Sequence, residues 1–269
     1  MPENPTLPVY YIPHGGGPCF FMDWNMGPPD TWEKLRNYLS SISQKLPEKP
    51  SSVLIVSAHW EEREFSVACK QQPEMFYDYY GFPEHTYRLK YGASGNPILA
   101  QKVFELLNSS GLNCVKDLER DFDHGVFIPL MVMFPEAEIP VVMLSLKRGL
   151  KPKEHIAAGR ALSDLRKEGV LILGSGLNYH NMQGFMNDFA LDESKKFNQW
   201  LTETVHFSSS ERNERLDNWA KAPCAGECHP REEHLIPLMF CSGAAGEDHG
   251  ELDFSDIIMN AEMCSYKFG

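Results

Sequence analysis

Four short stretches of the chain are almost wholly apolar: Val9 to Ile12, Val53 to Val56, Ile139 to Leu146, and Val170 to Leu173. Runs of this length, rich in β-branched residues, predict strands buried on both faces, as in the middle of a parallel sheet. Between them the period lengthens. Residues from Thr31 to about Leu46 place Leu35, Leu39 and Ile42 on one helical face, closed by Pro47 and Pro50. Pro97 to Asn108 predicts a second helix. Pro152, suited to a first helical position, opens another that runs to Lys167 and stops at Gly169. Phe65 to Cys69 and Leu112 to Val115 predict shorter strands, and polar helices fill 190–220. Pro230 predicts a further helix start, with His234 in its second turn, and the alternation from Ile257 to Phe268 predicts a final strand. No internal repeat or low-complexity linker interrupts this order. The expectation is one α/β domain over residues 1–269, with a central, mostly parallel sheet flanked by helices.

In such a sheet, ligands bind at the carboxyl ends of the strands. Three of the predicted strands run into a histidine there. The first ends in His14-Gly-Gly-Gly, the second in Ser57-Ala-His59-Trp, and the third reaches His180 after a turn. Ten histidines placed at random would scatter over both edges and the helices, so three at strand ends point to a site. His124 precedes the apolar segment 126–134, and His229 and His234 follow in a late loop-to-helix element; His206 is expected at the surface. Imidazole suits zinc, iron, copper and nickel. A histidine that is not a ligand can act as acid or base near neutral pH.

Residues 71–94 hold five tyrosines and two phenylalanines with no clear period. A loop of this length in a compact domain is either packed on itself or functional. As a pocket wall it would offer aromatic faces and hydroxyls to a flat molecule. Phe82 and Tyr87, with His229, are the candidate substrate contacts. Arg88 and Lys90 could meet a substrate carboxylate, although loop charges are more often simply solvated.

Composition narrows the classes. The net charge of -12 disfavours nucleic acid and anionic membranes as partners. The longest apolar run, residues 126–134, contains Pro129 and is too short to span a bilayer. No signal peptide is apparent, and seven cysteines show no disulfide framework, so a cytoplasmic protein is expected. Cys224-Ala-Gly-Glu-Cys228-His229 lacks the second cysteine pair of a structural zinc site. Leu173-Gly-Ser175-Gly-Leu lacks the glycine spacing of a nucleophile elbow, which disfavours a serine hydrolase, and no nucleotide-binding glycine motif occurs.

Several motifs taken together resemble the DOPA 4,5-dioxygenase family of the class III, LigB-like extradiol ring-cleaving dioxygenases. They are Tyr-Ile-Pro-His14-Gly-Gly-Gly-Pro, Ser57-Ala-His59-Trp, Gly81-Phe-Pro, Phe122-Asp-His124-Gly, Asn178-Tyr-His180-Asn and His229-Pro-Arg-Glu-Glu-His234-Leu-Ile-Pro-Leu. They occur in order from residue 9 to about 245. The resemblance implies a mononuclear metal centre that opens a catechol ring, DOPA or one like it, with dioxygen. By motif position the ligands would be His14, His59 and His234, with His180 as a conceivable fourth, and His124 and His180 would be the acid and base. Some class III enzymes use a carboxylate ligand, which leaves the role of Glu233 open. Iron(II) is expected for activity, and zinc could occupy the isolated protein. The competing readings are a zinc-binding, non-redox relative with a binding or signalling role, and a zinc hydrolase.

Overall fold

The computed structural model describes residues 5–269. Its centre is one eight-stranded sheet. The strands are β1 (Val9–Pro13), β2 (Ser52–Glu62), β3 (Phe65–Ala68), β4 (Cys114–Asp117), β5 (Val141–Lys147), β6 (Val170–Gly176), β7 (Gly250–Ile258) and β8 (Ala261–Phe268). They lie in the order β4-β3-β5-β2-β6-β1-β8-β7. The four central strands β5, β2, β6 and β1 run parallel, as their unbroken apolar runs require: both faces are covered, and β1 and β6 are buried at every position.

The helices are α1 (Glu33–Lys45), α2 (Pro97–Ser109), α3 (His124–Met133), α4 (Pro152–Leu162), α5 (Asp188–His206), α6 (Ser209–Asp217), α7 (Ala225–Cys228) and α8 (Ile236–Ala244). Successive residues of β6 show the two layers. Gly174 faces α8, where a Cβ would come within 2.6 Å of the Pro237 carbonyl, whereas Ser175 donates to the Gly125 carbonyl of α3. On the α8 side, α4 lies so close that Gly159 and Gly243 let the two backbones touch. No helix among the described residues is long and apolar enough to cross a membrane.

The predicted elements are present, with corrections at their ends. The expected final strand is a hairpin: Met259 and Asn260, at φ +51° and +62°, reverse the chain between β7 and β8. Both residues occupy the left-handed region that a two-residue turn of this hand demands. The helix expected at Pro230 begins at Ile236 instead, with Pro237 in its first turn. The His229 amide still closes on Ala225 of the short α7, and residues 230–235 form a loop and turn. His124 is the first residue of α3 rather than part of the loop before it.

Candidate active site

Three parallel strands bring their histidines to one edge. β1 pairs with β6 as far as Pro13 and Gly176, and the His14 amide adds one more bond to the Gly176 carbonyl at 3.3 Å. The glycines then turn the chain away. Gly15 and Gly17 stand at φ +89° and +54°, and a Cβ on Gly17 would meet the Phe82 ring at 2.8 Å, so the turn needs both the left-handed backbone and the missing side chain. β2 pairs with β6 as far as Ser57 and regains β5 only at Glu61 after a register shift; His59 projects from that irregular stretch. Ser57 Oγ accepts the His59 amide at 3.2 Å and donates to Asp123 at 2.7 Å. Arg120 binds the same carboxylate at 2.6 Å and the His59 carbonyl at 3.3 Å. His234 reaches the edge from the turn before α8, where its carbonyl accepts the Leu177 amide at 3.1 Å and the Tyr11 hydroxyl at 2.8 Å.

The three imidazoles meet through their Nε2 atoms. His14 to His59 and His59 to His234 are both 3.2 Å. The Nδ1 atoms are turned outward: that of His14 donates to the Gly15 carbonyl at 2.8 Å and that of His234 to Glu233 at 2.9 Å, while that of His59 faces Asp78 at 3.5 Å. A neutral ring with its proton on Nδ1 has a bare lone pair on Nε2. Only His59 can carry an Nε2 proton, and it can satisfy one neighbour at most. A cation at the centre would satisfy all three, so the donor set fits a metal ion. Burial holds all three rings well below the ordinary histidine range, and the neighbouring imidazoles add to the effect, keeping them unprotonated.

Two further histidines flank the triad, each tied to a carboxylate. His124 donates from its backbone amide (2.9 Å) and from Nδ1 (2.8 Å) to Asp78, and its ring lies 4.0 Å from that of His59. His180 stacks on His234 with ring centroids 3.4 Å apart, and its Nδ1 is 3.1 Å from the Glu233 oxygen that also receives His234. Burial is the largest single influence and would raise the carboxyls of Asp78 and Glu233. Hydrogen bonds and charge from His124 and His59 on Asp78, and from His180, a backbone amide and Arg231 on Glu233, together outweigh it and hold both below the usual range. Glu233 thus meets two imidazoles on their outer nitrogens. His180 groups with Glu233 and His234 rather than with His14 and His59.

A cavity of about 390 Å³ opens in front of these five histidines. Phe82, Tyr79 and Tyr80 line it. Tyr87 does not: its hydroxyl accepts the Phe82 amide at 3.3 Å and so holds Phe82 in place from behind. His229 is likewise outside the wall, buried between Phe197 and Trp219 with Nε2 donating to the Asn178 carbonyl at 2.9 Å. The aromatic loop is packed on itself and also lines the cavity. Tyr77 and Tyr79 hydroxyls bind the Leu89 and Thr86 carbonyls within the loop, while its other face closes the cavity. Asp78 and Asp123 escaped the sequence reading. The available signals were an acid set among aromatics in the loop and an acid directly before His124.

The family described as the catalytic LigB subunit of aromatic ring-opening dioxygenase matches residues 8–264. The chain belongs to that family. It is a non-haem extradiol dioxygenase, and the family implies a metal cofactor, an aromatic substrate and dioxygen. Among the relatives of this ring-opening dioxygenase is a 4,5-DOPA dioxygenase extradiol of Beta vulgaris, 39% identical over 79% of this chain and 80% of that one. Another is dioxygenase tasH of Hapsidospora irregularis, 32% identical over 97% and 85%. The fold is shared with the crystal structure of an uncharacterized protein from Escherichia coli K12, at a TM-score of 0.77 and 26% identity, covering 98% of this chain and all of that one.

Proposed function

We propose that this dioxygenase opens a catechol ring beside its paired hydroxyls, with one metal ion, iron(II) in the active form, held by Nε2 of His14, His59 and His234. The observation that carries the reading is the convergence of three imidazole Nε2 atoms, two on buried rings (His14 and His234) and one on a partly buried ring (His59), 3.2 Å apart along two of the three edges, on the floor of a cavity. Bound there, iron(II) would lower the pKa of the catechol hydroxyls and bring dioxygen and ring into reacting geometry.

The chain's own residues then handle the protons. His180 has Nδ1 engaged by Glu233, which leaves Nε2 to take a hydroxyl proton, with the carboxylate stabilising the charged ring. His124 has Nδ1 on Asp78, so its Nε2 is the group to take the second hydroxyl proton, to stabilise charge on oxygen with it, and to return it as the ring opens. Apolar walls keep water from the reacting atoms. Both oxygen atoms of dioxygen enter the product, a muconic semialdehyde. The flanking carboxylate-bound histidines favour this over a zinc-binding role without turnover, which would have no use for a second acid and base.

The test is anaerobic reconstitution of metal-free protein with iron(II) and, separately, zinc, followed by oxygen uptake with catechols, DOPA among them. Oxygen consumption with a yellow product in the iron form alone is the expected result. Silence from the iron form with every catechol, beside tight zinc binding, would overturn the redox reading.

A further inference from the structure

The cavity extends well past the histidines. Its outer walls are Trp24 and Trp32 from the β1–α1 connection, Met182 and Phe185 after β6, and Met259 and Met263 at the β7–β8 hairpin. Among the described residues that line it, none is Lys, Arg, Asp or Glu. Three basic side chains on neighbouring elements are already engaged, Arg120 on Asp123, Arg231 on Glu61 and Glu233, and Lys34 on Asp256. Arg36 lines a separate hollow that shares Trp24 and Trp32 but does not line this cavity. Arg88 pairs with Glu84 on the outside of the aromatic loop, and neither it nor Lys90 reaches the cavity wall. The adjoining hollow shares Met26 and Met259 with the cavity, and it carries Asp30, Glu33 and Asp256 against one lysine, Lys34. An anion entering this end meets no basic side chain on the cavity wall and a mostly acidic surround.

Resting on the ring-opening reading above, we infer that the natural substrate is a catechol with an apolar, uncharged ring substituent, and that the outer pocket selects against a carboxylate. The cavity volume falls within the roughly 300–1,000 Å³ typical of pockets for drug-sized ligands, more than a bare catechol fills. Indole and thioether walls supply adaptable apolar contact along a hydrocarbon or aryl extension. Each buried methylene is worth about fourfold in binding. A carboxylate gains none of that contact, and its desolvation stays uncompensated. DOPA, the substrate in the names of several relatives, would bring both a carboxylate and an ammonium into this apolar end.

The test compares matched catechols on the iron(II)-loaded enzyme: 3-(3,4-dihydroxyphenyl)propanoate against its methyl ester, and 4-methylcatechol against 4-butylcatechol. The ester should exceed the acid in kcat/KM by tenfold or more, and the butyl compound should exceed the methyl by a similar factor. Met182→Lys, which places a cation on the wall, should narrow the gap between acid and ester. Turnover that is equal for the pair, or faster for the acid, overturns this inference and leaves ring opening standing. If no catechol consumes oxygen, the ring-opening reading fails. Anaerobic quenching of tryptophan fluorescence, to which Trp24 and Trp32 of the wall contribute, then decides the preference by affinity alone, with tighter binding of the ester expected and equal or tighter binding of the acid overturning it.

Discussion

Asp78→Asn isolates the carboxylate that links a proposed metal ligand to a proposed acid–base residue. In the native protein Asp78 accepts two bonds from His124, at 2.8 and 2.9 Å, and faces Nδ1 of His59 at 3.5 Å. The asparagine is nearly isosteric, so packing of the loop should survive. Its amide oxygen can still accept from His124, but the bond is no longer charge-assisted, a loss of about 1 kcal/mol. Its NH2 then turns toward His59 Nδ1, donor against donor, and favours the imidazole tautomer that points a proton at the metal position. Outer-shell partners of this kind typically contribute 10–100-fold to metal affinity or activity, about 1.4–2.8 kcal/mol. The expected outcome is a fall of that size in kcat/KM for oxygen uptake, with weaker iron retention against a chelator and an unchanged circular dichroism spectrum. Glu74→Gln, an exposed acid of the same loop, is the control and should behave as wild type. Activity and iron retention within twofold of wild type for Asp78→Asn would refute the reasoning.

Other perturbations separate chemistry from stability. His124→Ala and His180→Ala should each keep one metal per chain while ring-opening turnover drops roughly 10²–10⁴-fold, as measured by oxygen electrode; normal turnover removes the residue from the mechanism. Gly159→Ala places a Cβ onto the Phe240 carbonyl and 2.7 Å from the Ala244 amide, so α4 and α8 must separate. That overpacking should cost at least about 1–3 kcal/mol and lower Tm by about 2–4 °C for each, with kinetics at low temperature little changed. His155 accepts the Lys147 amide on Nε2 and donates to the Lys151 carbonyl, and burial pushes its pKa down to about 4. The unfolded chain therefore takes up a proton near pH 6.5 that the folded chain refuses until about pH 4. The stability His155 contributes is present above pH 6.5 and lost as pH falls toward 4, about 3 kcal/mol in all. Urea unfolding at pH 7.5 and 4.5 should show a smaller acid-induced loss in His155→Gln; an identical loss would contradict this.

The sheet was legible because its central strands are buried on both faces and so spell themselves as unbroken apolar runs. The clustering of the candidate histidines was legible for the same reason: His14 and His59 stand directly at the ends of such runs, and His180 lies only a turn beyond one. His234 could not be placed this way. Its position depends on the turn before α8 and on Gly176, where a Cβ would overlap the His234 carbonyl. That contact joins residues far apart in the chain. The β7–β8 hairpin was hidden because its turn is Met259-Asn260, without the glycine that usually marks one. Tyr87 and His229 carry the side chains a pocket needs, yet both spend them on backbone groups behind the wall. Asp78 was missed for the opposite reason: its setting among aromatics was a weak signal, and an acid in a loop has no period and no neighbour in sequence that reveals its partners. What periodicity encodes is the strand ends; what tertiary contact encodes is the ring of carboxylates around them.

The most direct test is an anomalous-scattering map from crystals loaded anaerobically with iron(II) and collected above and below the iron edge. The account predicts one strong peak within coordination distance of Nε2 of His14, His59 and His234, with Asp78 and Glu233 outside the shell. A peak bound instead by Glu233 and His180, or none among the three imidazoles, would contradict it.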